Sequence, residues 1–380
     1  GITAGLLLAF NGFMWSQAVI VEVYTLGIFT FMAVLALMMR WYFRPTERWP
    51  MHLAYFCFGL CFANHQTLLL AAIGIEAIVL LADRNLGKDF LLCNCGVYIL
   101  GLLATLPAEG APPDSDPGVF VLFNIVGVAM VALLLGMTLY NKGKQYVQKQ
   151  SLESKSLLAI TIGAIGVYLI SAVLFGWAWS SFFAKQHFSG AANAVKVWAF
   201  LNALLLGGMI VFSWLNHEDK KFTPLLRHWM PMLNTRAAWL LGAAFYLYMP
   251  IASMTNPPMN WAYPRTEQGF KHAISRGQYD RIAPSNLTRM FYDRNYVTPA
   301  PGAPSPRTQF NGGQAYVYLE EAGQEFSKSY LALAFLPMVF LPWMALRERR
   351  WIAALTGIFI SFTVILIFLL NPTADEQNRH

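Results

Sequence analysis

The chain has 380 residues, of which 56% are hydrophobic, 15% aromatic and only 12% charged. Ordinary soluble domains carry about 25% charged residues, so the composition argues against a water-soluble fold. The formal charge of +7 does not indicate a nucleic-acid partner, because Lys and Arg fall in short clusters between apolar blocks rather than in one basic stripe.

The apolar blocks run over 2–13, 16–39, 51–64, 66–82, 90–107, 118–140, 156–183, 191–215, 237–255, 329–346 and 351–370. Blocks of roughly 17 to 25 uncharged residues have the length that crosses an approximately 30 Å hydrocarbon core as a helix, and they lack the alternation of barrel strands. The expected fold is all-α: a polytopic transmembrane bundle of about ten crossings. The chain opens at Gly1 in the middle of such a pattern with no basic n-region or cleavage site, which reads as a fragment.

Glu22 is the first residue of chemical interest, near the outer end of the block 16–39. An ionisable group there is costly unless it faces a cavity or a partner; the alternative is a carboxylate stabilised by a helix N-terminus and interfacial water. Next come the orienting clusters: Arg40, Arg44 and Arg48; Arg84 and Lys88; Lys142, Lys144, Lys149 and Lys155; Lys220, Lys221, Arg227 and Arg236; and Arg347, Arg349 and Arg350. The positive-inside rule makes all five cytoplasmic. That requires 51–64 and 66–82 to form a hairpin with its tip at Asn64, His65 and Gln66. The first arm is short for a span and must be tilted or buried by neighbours.

The polar tip residues either cap two half-helices or face an anionic headgroup. Cys57, Cys61 and His65 recur every four residues, but nothing near them completes a four-ligand zinc site, so no metal site is assigned. All four cysteines lie inside apolar blocks, as buried thiols commonly do. Glu76 reads either as an ion or proton site or as a hydrogen-bonded buried acid.

The segment 256–328 breaks the compact pattern, being rich in proline and mixing Arg with aromatics. So long a loop in a tight protein is functional or disordered. Trp261 and Tyr263 offer faces on which sugars stack, and Arg265, Lys271 and Arg276 suit phosphate; a solvated loop seated on the interface is the plainer reading. The expected domains are a helical core at 1–255, this outer loop, and C-terminal helices at 329–380. Phosphate-binding loops, Gly-rich nucleotide turns and zinc-protease motifs are all missing.

The segments WSQAVIVEVYTL (15–26), GLCFANHQTLL (59–69) and YMPIASMTNPPMNWAYPRTEQGFKHAISRGQY (248–279), with the terminal 371–380, together resemble a GT-C type glycosyltransferase. They are most similar to the bacterial multipass family related to the eukaryotic transmembrane protein O-mannosyltransferases. The resemblance implies transfer of a mannose-like hexose from a polyprenyl-phosphate donor, amid membrane lipid, to a protein or glycan acceptor at the outer face. The bacterial inner membrane is the implied location, with 256–328 periplasmic. Glu22 matches the second acidic position of such enzymes, and His65 falls where they place a polar residue facing the lipid phosphate. Asn64, Gln66, Trp261, Tyr263, Arg265, Lys271, Arg276 and Tyr279 complete the expected substrate-binding set. The first acidic position belongs to a first outer loop that would precede Gly1, so the fragment is expected to be inactive alone. A divalent cation stays open as a cofactor. A transporter or lipid flippase and a non-catalytic assembly subunit are the competing classes.

The orientation makes a direct prediction. In sealed right-side-out vesicles, an impermeant maleimide should label Gly302→Cys and leave Lys149→Cys unlabelled; the reverse pattern would invert the topology.

Overall fold

The computed structural model describes residues 5, 24–104, 126–137, 200, 203–204, 207–208, 211, 226–258, 260, 263–274 and 341–365. Among these, the chain is all-α, with no strand. In chain order the helices are α1 (Tyr24–Phe43), α2 (Trp49–Asn64), a 3-10 turn (Gln66–Ala71), α3 (Ala72–Ala82) and α4 (Arg84–Ala104). They continue with α5 (Val126–Met137), α6 (Trp229–Ala243), a second 3-10 turn (Ala244–Leu247), α7 (Tyr248–Met254), α8 (Glu267–Ile274) and α9 (Leu341–Ile360).

Two stretches are long and apolar enough to cross a bilayer, Thr25–Phe43 and Trp229–Met254; Gln66–Ala82, Val126–Met137 and Arg350–Ile365 are shorter apolar helices. The block 51–64 forms α2, 16 residues long and not among those spans; the remaining expected crossings fall wholly or partly outside the described residues. Apolar side chains cover both faces of α1: Phe31, Val34, Met38 and Trp41 are buried, whereas Leu26, Phe29, Met32, Met39 and Phe43 are exposed. A helix that is apolar all round suits a hydrocarbon surrounding better than water.

The chain divides into two compact units, Gly1–Ala82 with Leu233–His380, and Asp83–Met232. In the first unit, α1 and α2 run antiparallel. The Cys61 thiol donates to the Thr30 hydroxyl at 3.3 Å, Gly27 lies against Asn64, and the Arg40 guanidinium sits 5.0 Å over the Trp49 ring. Near that turn Glu47 pairs with Arg40 at 3.6 Å and with Arg44 at 3.4 Å. Helix α9, with the π-helical turn Ser361–Ile365 that continues it, runs antiparallel to α1, with Phe31 against Phe362 (5.1 Å between ring centroids) and Tyr42 against Trp351 (5.2 Å).

Helices α2 and α6 run parallel and touch through backbone. A Cβ added to Gly59 would meet the Trp239 carbonyl oxygen and come within 2.6 Å of the Ala243 nitrogen; one on Gly242 would meet the Phe56 carbonyl oxygen. Small residues permit this approach, and in lipid such packing helps to hold helices together where apolar burial gains little. A Cβ on Gly74 of α3 would meet the Ile358 side chain of α9 first, with the Ile358 backbone 3.0 Å away.

In the second unit, the Asp83 carboxylate accepts backbone N–H bonds from Asn85 (3.2 Å) and Leu86 (3.1 Å), satisfying donors that open α4. The buried Asp89 accepts N–H bonds from Leu226 at 2.6 Å and His228 at 2.7 Å, fixing a turn in which Leu226 has φ 67°. Burial pushes the Asp89 carboxyl above its ordinary range, against the lowering effect of those two bonds. The Tyr98 ring fills the space where a Cβ on Gly127 would stand.

Gly59→Val is expected to lower stability by about 3 kcal/mol, the upper end of overpacking costs, because backbone has to move. Gly96→Ala, where a Cβ meets nothing within 4 Å, should be near neutral. Thermal unfolding in detergent checks both.

Candidate functional site

Two polar features lie along the α2–α6 contact. In the first, Glu76 of α3 accepts hydrogen bonds from the Tyr55 hydroxyl and from Arg236 Nη1, each at 2.9 Å. Arg236 also faces the Tyr55 ring at 5.6 Å. Because Tyr55 precedes the break at His65 and Glu76 follows it, this contact brings the two arms of the expected hairpin together. Arg236, grouped by sequence with a basic cluster, is part-buried and paired with an acid. Of the two readings of Glu76, the geometry matches the hydrogen-bonded acid. Nearby, His52 Nδ1 and Thr235 Oγ1 stand 2.9 Å apart.

The second feature is the helix break. The α2 helix ends at Asn64, and His65 is extended (φ −145°, ψ 108°) before the 3-10 turn begins. His65 donates its N–H to the Cys61 carbonyl at 2.8 Å, and its own carbonyl accepts from Leu68 at 3.1 Å. Its Nδ1 is bonded to the Thr67 hydroxyl. The freed backbone of the break is thus partly satisfied within protein. Gln66 Nε2 donates to Tyr246 Oη and to the Ile274 carbonyl, both at 3.3 Å. Tyr246 Oη in turn donates to the Ala273 carbonyl at 3.1 Å, and its ring stacks on Phe62 at 5.4 Å.

The segment that brings α8 back to the break turns tightly. Ser253, buried at the end of α7, donates to Asn260 Oδ1 at 2.7 Å, while Asn260 Nδ2 donates to the Ser253 carbonyl at 3.2 Å. Ser253 Oγ also accepts the Arg265 N–H at 3.3 Å. Asn256 and Tyr263 have φ of 52° and 47°, unusual for side-chain-bearing residues and sustained only where surrounding bonds over-determine them. Arg265 bonds to Asn256 Oδ1 and lies 5.9 Å over the exposed Tyr263 ring. Thr266 caps α8 by accepting the Gly269 N–H at 3.1 Å. Gly269 and Ala273 are buried, and Lys271 is exposed.

Of the expected site residues, Asn64, His65 and Gln66 therefore sit at the break, and Gln66 meets the end of α8, the helix that carries Lys271. Tyr263 and Arg265 form the turn leading into that helix. Glu22, Trp261, Arg276 and Tyr279 lie outside the described residues. Cys61 and His65 turn to Thr30 and Thr67, and among the described residues no three of His, Cys, Asp and Glu gather into a metal-holding group. Sequence reasoning missed Tyr246, Ser253 and Asn260. Ser253 and Asn260, small polar residues at a helix end, carried a readable signal; Tyr246, inside an apolar block, carried none.

Residues 1–87, which include α1, α2, the break and α3, match the family model of the Protein O-mannosyl-transferase TMEM260 N-terminal domain. The first part of the chain is similar to a protein O-mannosyltransferase. The match covers 87 of the 380 residues. No curated protein and no solved structure matches the chain.

Arg236→Met should cost about 2–3 kcal/mol, somewhat below the penalty for orphaning a fully buried acid because the pair is partly exposed. The double variant Glu76→Gln/Arg236→Met should regain part of that loss. Unfolding midpoints of the three proteins decide it; additive losses would mean the pair is not coupled.

Proposed function

We propose that the protein is a membrane glycosyltransferase that moves a mannose-like hexose from a polyprenyl-phosphate donor to a protein or glycan acceptor at the outer face. The observation that carries this reading is the meeting of the polar helix break with the Arg-, Lys- and aromatic-bearing segment 263–274, in a chain whose first 87 residues match a protein O-mannosyl-transferase domain. Neither element suffices alone. A capped break is ordinary helix architecture, and an aromatic loop is ordinary interface.

The reaction is an inverting displacement. An acceptor hydroxyl oxygen attacks the anomeric carbon, the bond from that carbon to the phosphate oxygen breaks, and its electron pair leaves with the lipid phosphate. A carboxylate takes the hydroxyl proton; Glu22, which the resemblance sets at the second acidic position of such enzymes, is the catalytic candidate among the residues of this chain. Asn64 and His65 face the lipid phosphate, with Arg265, Lys271 and Arg276 offsetting its charge as it departs. Trp261, Tyr263 and Tyr279 provide stacking faces for the sugar. The bacterial inner membrane, with 256–328 in the periplasm, is the setting this chemistry fits. The competing transporter reading is motivated by the broken hairpin and by Glu76 as a coupling site, and that carboxylate is already engaged by Arg236 and Tyr55.

The test uses the complete natural chain in vesicles with radiolabelled polyprenyl-phosphate mannose and, separately, glucose. Glu22→Gln and His65→Ala should each lower donor turnover about 10-fold or more while folding is retained. A folded wild type that consumes neither donor would sink the proposal.

A further inference from the structure

Resting on that reading, we propose that Tyr246 is a positioning residue of the transfer site: with Gln66 it fastens the C-terminal end of α8 to the helix break and so sets where the basic residues stand. The argument begins with α8 itself, which has only eight residues and is too short to be stable by its own hydrogen bonds. Its last carbonyls have no intrahelical partner. Two of them, those of Ala273 and Ile274, are taken by Tyr246 and Gln66 respectively.

The donors are used to capacity. A side-chain amide nitrogen carries two hydrogens and a phenol one. Gln66 directs its two to Tyr246 Oη and the Ile274 carbonyl, and Tyr246 directs its one to the Ala273 carbonyl. In this arrangement the nitrogen of Gln66 holds protein rather than sugar, and its expected contribution to substrate binding becomes an indirect one. The Tyr246 ring is held in turn by Phe62 on one side, at 5.4 Å, and by Phe270 of α8 at 6.3 Å. With Gly269 and Ala273 small and buried, α8 lies close against its support. The face bearing Lys271 and His272 is left exposed, and Arg276 follows only two residues after the helix ends.

Tyr246→Phe removes the hydroxyl and keeps the ring, and Gln66→Leu removes both amide donors, so neither variant opens a large cavity. The complete chain in lipid nanodiscs is assayed for hydrogen exchange and for transfer from polyprenyl-phosphate mannose. In both variants amide exchange should quicken in 267–274 and stay unchanged in 49–60. The donor KM should rise roughly 2- to 10-fold, the range set by one hydrogen bond, with kcat within about twofold. The two substitutions together should raise KM little more than either alone, because they cut one chain of bonds. Unchanged exchange in 267–274, unchanged KM, or a fall in kcat at constant KM overturns the positioning role. Wild type that transfers no sugar overturns the function itself; wild type that transfers sugar beside variants of unaltered KM overturns only the part given to Tyr246.

Discussion

The first compact unit depends on the backbone contact between Gly59 and Gly242. With no side chain at either position, α2 and α6 approach until backbone atoms touch, and every polar contact between them follows from that approach. On one side of the crossing His52 reaches Thr235, and Arg236 reaches Glu76 and Tyr55. On the other, Phe62 reaches Tyr246, and Gln66 takes up the bonds that hold α8. In a bilayer, where burying another apolar side chain gains little over leaving it in lipid, close packing and hydrogen bonding carry the specificity of helix pairing.

The two polar features divide the work. Glu76, Arg236 and Tyr55 join three helices through a charge-assisted network that sets their register, and the acid is satisfied on the protein side. The break at His65 serves differently. It ends α2, redirects the chain and presents Asn64, His65 and Gln66 together at one end of the unit. The turn built on Ser253 and Asn260 holds Asn256 and Tyr263 in left-handed backbone conformations. Such strain recurs at binding sites because a pre-set shape spares the ordering cost when a ligand arrives.

Much of this architecture was legible in the residues. The all-α class followed from uncharged blocks of helical length, because backbone groups in hydrocarbon must be satisfied within their own segment. The break at 64–66 was visible as three consecutive polar residues between apolar arms. Glu76 was visible as a lone charge inside an apolar block, and Arg236 as the last member of a basic cluster beside one. That they pair was not, since 160 residues separate them and nothing local records which helices adjoin. Counting bases near a helix end likewise does not reveal that Arg236 is engaged by an acid on another helix.

The sequence by itself determined where helices form and break, which residues carry charge, and that Tyr263, Arg265 and Lys271 share one polar segment, for these depend on composition and short-range periodicity. Only the tertiary structure decided that this segment returns to Gln66 and that Tyr246 joins them. That outcome depends on two glycines, distant in sequence, admitting a backbone approach that any side chain would forbid. Close packing is a property of pairs of surfaces, and a single strand of residues specifies it without displaying it.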